Sequence, residues 1–100
     1  MRLEETECRV IADTLRKRFG EQSRIWLFGS RVDDTARGGD IDIYLEPEIQ
    51  APEAIVDARL EALVELKQRL GDQRIDLVVH RAAARELPIH AIARETGVRL

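Results

Sequence analysis

Four consecutive apolar residues, Ile25-Trp26-Leu27-Phe28, run directly into Gly29-Ser30-Arg31, and nine residues separate Ser30 from the alternating stretch Asp40-Ile41-Asp42-Ile43. An unbroken apolar run of this length, closed by small residues, reads as a strand covered on both faces. Gly29 has no Cβ, so its backbone can take unusual dihedrals and approach a ligand closely. Ser30 is suited to cap a short helix opening near Arg31. A turn that opens a helix points free N–H groups and the positive end of the dipole outward, which favours a phosphate.

Asp40 and Asp42 sit two positions apart on a second expected strand. Alternation places both on one face, about 6–7 Å apart at Cα, and sends Ile41, Ile43 and Leu45 to the core. Two carboxylates aimed the same way repel unless a cation lies between them. Hard oxygen ligands of this kind suit Mg²⁺ held jointly with substrate phosphates.

One hundred residues allow one small domain, 1–100, with limited room for both a reaction centre and a deep pocket. The net charge of −3 and the scattering of the 16 basic residues argue against strong binding to duplex nucleic acid, which needs a basic face. Cys8 is the sole cysteine, so an internal disulfide and a cysteine zinc site are both excluded. The first residues lack the apolar core of a signal peptide, and no apolar run approaches membrane-spanning length, so a cytoplasmic location is the default expectation.

Cys8, Ile11, Leu15 and Phe19 recur at helical steps, and the spacing predicts a helix over 3–19 stopped by Gly20. Arg16, Lys17 and Arg18 read as a solvated face that complements the helix dipole. The second helix is expected over 53–70, its stripe formed by Ile55, Ala58, Ala62, Leu66 and Leu70 and widened by Val56, Leu60 and Leu63, with Gly71 at its end. Arg74-Ile75-Asp76-Leu77-Val78-Val79 reads as a third strand. One helical turn is expected at 82–86, a short helix at 88–95, and a last short strand at 98–100. Trp26 reads as core, and His80 and His90 as residues in polar or element-end positions.

Asp76 stands among apolar neighbours, where a carboxylate needs a partner; an arginine such as Arg74 is one candidate, and a cation site shared with Asp40 and Asp42 is another. If the strands of Asp42 and Asp76 are neighbours, three carboxylates share one side of the sheet. Such a set suits two-metal phosphoryl or nucleotidyl transfer, in which the ions stand about 3.5–4 Å apart. That chemistry demands positioning and charge neutralisation rather than a covalent nucleophile on the protein.

Leu27-Phe28-Gly29-Ser30-Arg31, Asp40-Ile41-Asp42-Ile43 and Arg74-Ile75-Asp76-Leu77-Val78 together resemble the nucleotidyltransferase superfamily typified by DNA polymerase β. More closely, they resemble the minimal nucleotidyltransferases (MNT proteins) that act as antitoxins beside HEPN-domain toxins. The resemblance extends over nearly the whole chain. Gly39 stands where the family often has Ser. The resemblance implies an α/β (α+β) fold, a small mixed sheet flanked by helices.

It further implies that Asp40, Asp42 and Asp76 ligate two Mg²⁺ ions and that Asp76 helps to deprotonate the incoming hydroxyl. Gly29 and Ser30 would hold the nucleotide phosphates, and Arg31 would neutralise charge or brace the loop. By the same resemblance, ATP is the substrate, and AMP passes to a tyrosine hydroxyl of a HEPN RNase toxin, as in a type VII-like toxin–antitoxin system. Two alternatives remain open: a non-catalytic antitoxin that occludes its toxin, and transfer to a small molecule with the help of an additional subunit. Homo- or hetero-oligomers fit either course.

Overall fold

The computed structural model describes residues 4–29, 40–71 and 73–100. In chain order the elements are α1 (Glu5–Phe19), β1 (Arg24–Phe28), β2 (Ile41–Glu46), α2 (Pro52–Leu70), β3 (Ile75–Val79), α3 (Pro88–Thr96) and β4 (Val98–Arg99). The strands form a mixed sheet in the order β3-β2-β1-β4. β2 runs antiparallel to β1 and parallel to β3, and β4 adds antiparallel to the far side of β1. This is the small mixed α+β class expected from the sequence, and it is compatible with a nucleotidyltransferase-like fold.

Parallel strands cannot be joined by a tight hairpin, and α2 supplies the crossover between β2 and β3. Pro52 occupies the first turn of α2, where its missing N–H costs nothing, and Gly71 closes the helix at φ +86°. Ile25, Leu27, Ile41, Ile43, Leu45 and Leu77 present one face of the sheet to Ile11, Leu15 and Phe19 of α1 and to Ile55, Ala58, Ala62 and Leu66 of α2. Ile41, Ile43 and Leu45 are fully buried, as the alternation requires. Each such side chain contributes about 1.5–3 kcal/mol relative to exposure.

The opposite face is built from Trp26, Phe28, Tyr44 and Val78, with Ala93 of α3 packed against them. Trp26 is therefore only half buried: it lies 5.3 Å from the Tyr44 ring, and the Arg99 guanidinium stacks over it at 4.8 Å. Asp42, Tyr44 and Glu46 share this α3 side by strand alternation.

Three expectations are corrected. Val56 and Leu60 do not widen the buried stripe of α2; they are 65% and 66% exposed, because they lie far round the helix from Ala58 and Ala62. Arg16, Lys17 and Arg18 are not merely solvated. Lys17 and Arg18 reach Glu65 at 3.2 and 2.9 Å, Arg18 reaches Glu61 at 2.8 Å, and Arg16 donates to the Leu100 carbonyl at 3.0 Å. They tie α1 to α2 and to the strand end. The stretch 82–86 forms a turn and a bend rather than a helical turn. The expected helix start at Ser30–Arg31, the loop 31–39 and the Asp72 turn lie outside the described residues. No helix among the described residues is long and apolar enough to cross a membrane.

Candidate active site

Hydrogen-bond register brings the acidic residues together. In the parallel β2–β3 pair, Asp42 is the Cα partner of Asp76, and in the antiparallel β1–β2 pair it is the partner of Phe28, the last residue of β1. The ladder continues one step beyond β3, where Ile41 N–H donates to the Arg74 carbonyl at 2.9 Å, so Arg74 runs alongside Asp40. Its Nε lies 3.5 Å from Asp40 Oδ2 and 3.8 Å from Asp76 Oδ1. One guanidinium thus bridges the two outer carboxylates. At these distances, and with the Arg74 side chain 75% exposed, both contacts are weak.

Like charges directly opposite across strands destabilise a sheet. The Asp42 carboxyl shows the strain: burial, then the Asp76 and Asp40 charges, push it above the usual carboxylate range, with Arg74 pulling the other way. Asp76 is not buried among its apolar neighbours. It stands on the edge strand with its side chain 47% exposed.

Gly29 closes β1 beside this group at φ +77°, in the left-handed region that favours glycine. A Cβ built there would fall 2.2 Å from Asp42 Oδ2. Absence of a side chain is what lets the backbone turn pass against the carboxylate. The structure therefore gathers Gly29, Asp40, Asp42, Asp76 and Arg74. Ser30 and Arg31, assigned to the nucleotide site by resemblance, lie outside the described residues. A groove of about 360 Å³ on the α2 side is lined by Leu63, Val64, Lys67, Arg74, Ile75 and Asp76, so the cations of Lys67 and Arg74 and the Asp76 carboxylate all border it.

Among the described residues, no three Asp, Glu, His or Cys side chains close into a complete metal-binding group. The arrangement is the Asp42–Asp76 pair, with Asp40 held at its side by Arg74. Mg²⁺ commonly takes one or two protein carboxylates and draws its other ligands from water and substrate phosphates, so this hard-oxygen donor set fits it.

A second polar group lies further along the same face, and the motif reading did not find it. Tyr44 donates its hydroxyl proton to Glu46 Oε2 at 2.8 Å, accepts from Arg94 Nη1 at 3.2 Å and lies 2.9 Å from His80 Nδ1. Burial, then the Glu46 carboxylate, push the phenol up to about 12. His80 stacks on His90 with ring centroids 4.0 Å apart, and Arg94 pairs with Glu86. His90 is buried, and burial together with the His80 ring lowers its affinity for a proton. A cavity of about 340 Å³ adjoins the group, bordered by Arg24, Glu46, His80, Glu86 and Arg94. The signal was available: counting on in twos from Asp42 reaches Tyr44 and Glu46, and from Asp76 reaches Val78 and His80. Compared with family models and with curated proteins, the chain matches none.

Proposed function

We propose that this chain is a metal-dependent nucleotidyltransferase that moves AMP from ATP to a tyrosine hydroxyl of a HEPN-domain RNase toxin and thereby acts as its antitoxin. The observation that carries the reading is Asp42 facing Asp76 across a parallel strand pair, with Asp40 alongside and Gly29 opened against the Asp42 carboxylate. A raised carboxyl among other acids supports it further, since such perturbation concentrates at functional sites. The nucleotide, the acceptor and the partner come from the sequence resemblance.

Asp40, Asp42 and Asp76 would hold the divalent cations, which when bound neutralise phosphate charge and lower the pKa of an attacking hydroxyl. The remaining work belongs to the protein. The bare backbone at Gly29 makes room for the Asp42 carboxylate, and by the resemblance Gly29 and Ser30 would hold the triphosphate beside it. Asp76, half exposed on its edge strand, stands where an incoming hydroxyl can reach it and give up its proton. The hydroxyl oxygen forms a bond to the α-phosphorus, the α–β phosphoanhydride bond breaks, pyrophosphate leaves, and the proton passes to the Asp76 carboxylate. Arg74 holds Asp40 and Asp76 by long contacts only, so both carboxylates would be available to the divalent cations.

The test is to incubate the chain and its partner with ATP labelled at the α-phosphate. Labelled partner is expected with the wild type and none with the double variant Asp40→Asn, Asp42→Asn. Labelling by that variant, or full protection by the wild type without ATP, overturns the reading.

A further inference from the structure

The side of α2 that faces away from the sheet should be charged in a helix covering one face of a small domain. Its middle is apolar instead. Val56, Leu60 and Val64 are 65%, 66% and 49% exposed and recur at four-residue steps. Glu53 and Lys67 continue the row at its two ends, and both are exposed. On a helix of 3.6 residues per turn these five positions fall within an arc of about 80°, opposite the buried Ala62. The row is a ridge with a shallow groove on each side, one touching Arg18, Glu61 and Gln68 and the other Leu63, Arg74 and Asp76.

The order of the row matters more than its exposure. Outward from Leu60, Val56 and Val64 lie at equal distance on either side, and beyond them Glu53 and Lys67 again lie at equal distance. The row is symmetric in shape and antisymmetric in charge. Among the described residues, neither Glu53 nor Lys67 takes part in an ion pair. A two-fold axis through Leu60 would lay a second copy of the row antiparallel on the first. It would set Leu60 on Leu60, each Val56 against the other protomer's Val64, and each Glu53 against the other protomer's Lys67. A parallel pairing would oppose like charges at both ends. A two-fold contact must be self-complementary in this way.

We infer that α2 is the interface of an antiparallel homodimer, closed by two reciprocal Glu53–Lys67 ion pairs around a Val56–Leu60–Val64 seam. The contact is small, so the dimer is weak, with a Kd of about 1–100 µM.

The experiment is sedimentation equilibrium on the whole chain at rising concentration, without nucleotide or metal, so that its result is independent of the catalytic reading. The mass should rise from 11.4 kDa toward twice that value. Leu60→Glu buries two charges at the axis and should weaken association at least about 100-fold, its circular dichroism unchanged. Glu53→Lys alone, or Lys67→Glu alone, opposes like charges at both ends and should weaken the dimer about tenfold. Mixed together, these two variants restore both ion pairs and should associate as tightly as the wild type. A monomer at every concentration overturns the inference, as does a dimer indifferent to Leu60→Glu. A mixture no tighter than its components overturns it too. If the row docks a different protein instead, the wild type stays monomeric and the inference falls.

Discussion

Asp42 Oδ2 occupies the space where a side chain on Gly29 would begin, 2.2 Å from the position of a Cβ. Gly29→Ala must therefore displace the carboxylate, and it must also hold alanine at φ +77°. The dihedral alone costs about 1–2 kcal/mol. The variant should melt about 5–15 °C lower and lose nucleotidyl transfer. Thermal melts and the labelling assay read the two effects separately.

Asp42→Asn separates stability from activity. The folded-state pKa of Asp42 is raised above its ordinary 3.8. The stability linked to its proton is therefore complete below that value and is lost as the pH rises through the raised one. At neutral pH the ionised carboxylate faces Asp76 and weakens the fold. Asn at this position should raise Tm at pH 7 by about 2–6 °C, the scale of one relieved like-charge pair. The gain should vanish near pH 3. Added Mn²⁺ should raise the Tm of the wild type and not that of the variant.

Arg74→Gln removes the cation that bridges Asp40 and Asp76. The three acids then repel one another more, and a divalent ion should bind about 2–5-fold more tightly at low salt. Calorimetric titration with Mn²⁺ measures this, and the gain should shrink as salt is added.

His90 lends the α3 side of the sheet a dependence on pH. Its Nδ1 accepts the Leu87 N–H at 3.0 Å, so the ring is neutral at that nitrogen. Its folded-state pKa is lowered below 6.5 by burial and by His80. Stability is therefore full above pH 6.5 and is lost as the pH falls through the lowered value. Denaturant midpoints should drop between pH 7 and pH 5 in the wild type. His90→Asn keeps an acceptor for the Leu87 N–H without titrating, and its midpoints should stay flatter over the same range.

Much of this architecture was legible because apolar spacing is a local signal. The bounds of β1, α2 and β3 lie within one residue of expectation, and Ile41, Ile43 and Leu45 point inward as alternation requires. What spacing does not encode is which strand lies next to which. The meeting of Asp42 with Asp76 depends on a pairing between segments separated by the whole of α2. Helical periodicity also identifies a row without saying that it is buried. Ile55–Ala58–Ala62–Leu66 and Val56–Leu60–Val64 both have helical spacing, and only the sheet beneath decides between them. The Tyr44–His80–His90 group escaped for a related reason. Its members come from β2, the position just past β3 and α3, and no short motif spans them.

The parallel pairing of β2 and β3 makes the acidic centre a matter of parity. Side chains change sides with every residue along a strand, so deleting one residue within β3 would turn the carboxylate of Asp76 into the oily layer beneath α2. Deleting two would return it to the correct side, a rung away from Asp42. Changes in chain length that leave the centre whole therefore fall outside the ladder, in the connections between elements. Within the ladder, only the integer that sets Asp76 opposite Asp42 keeps the centre whole.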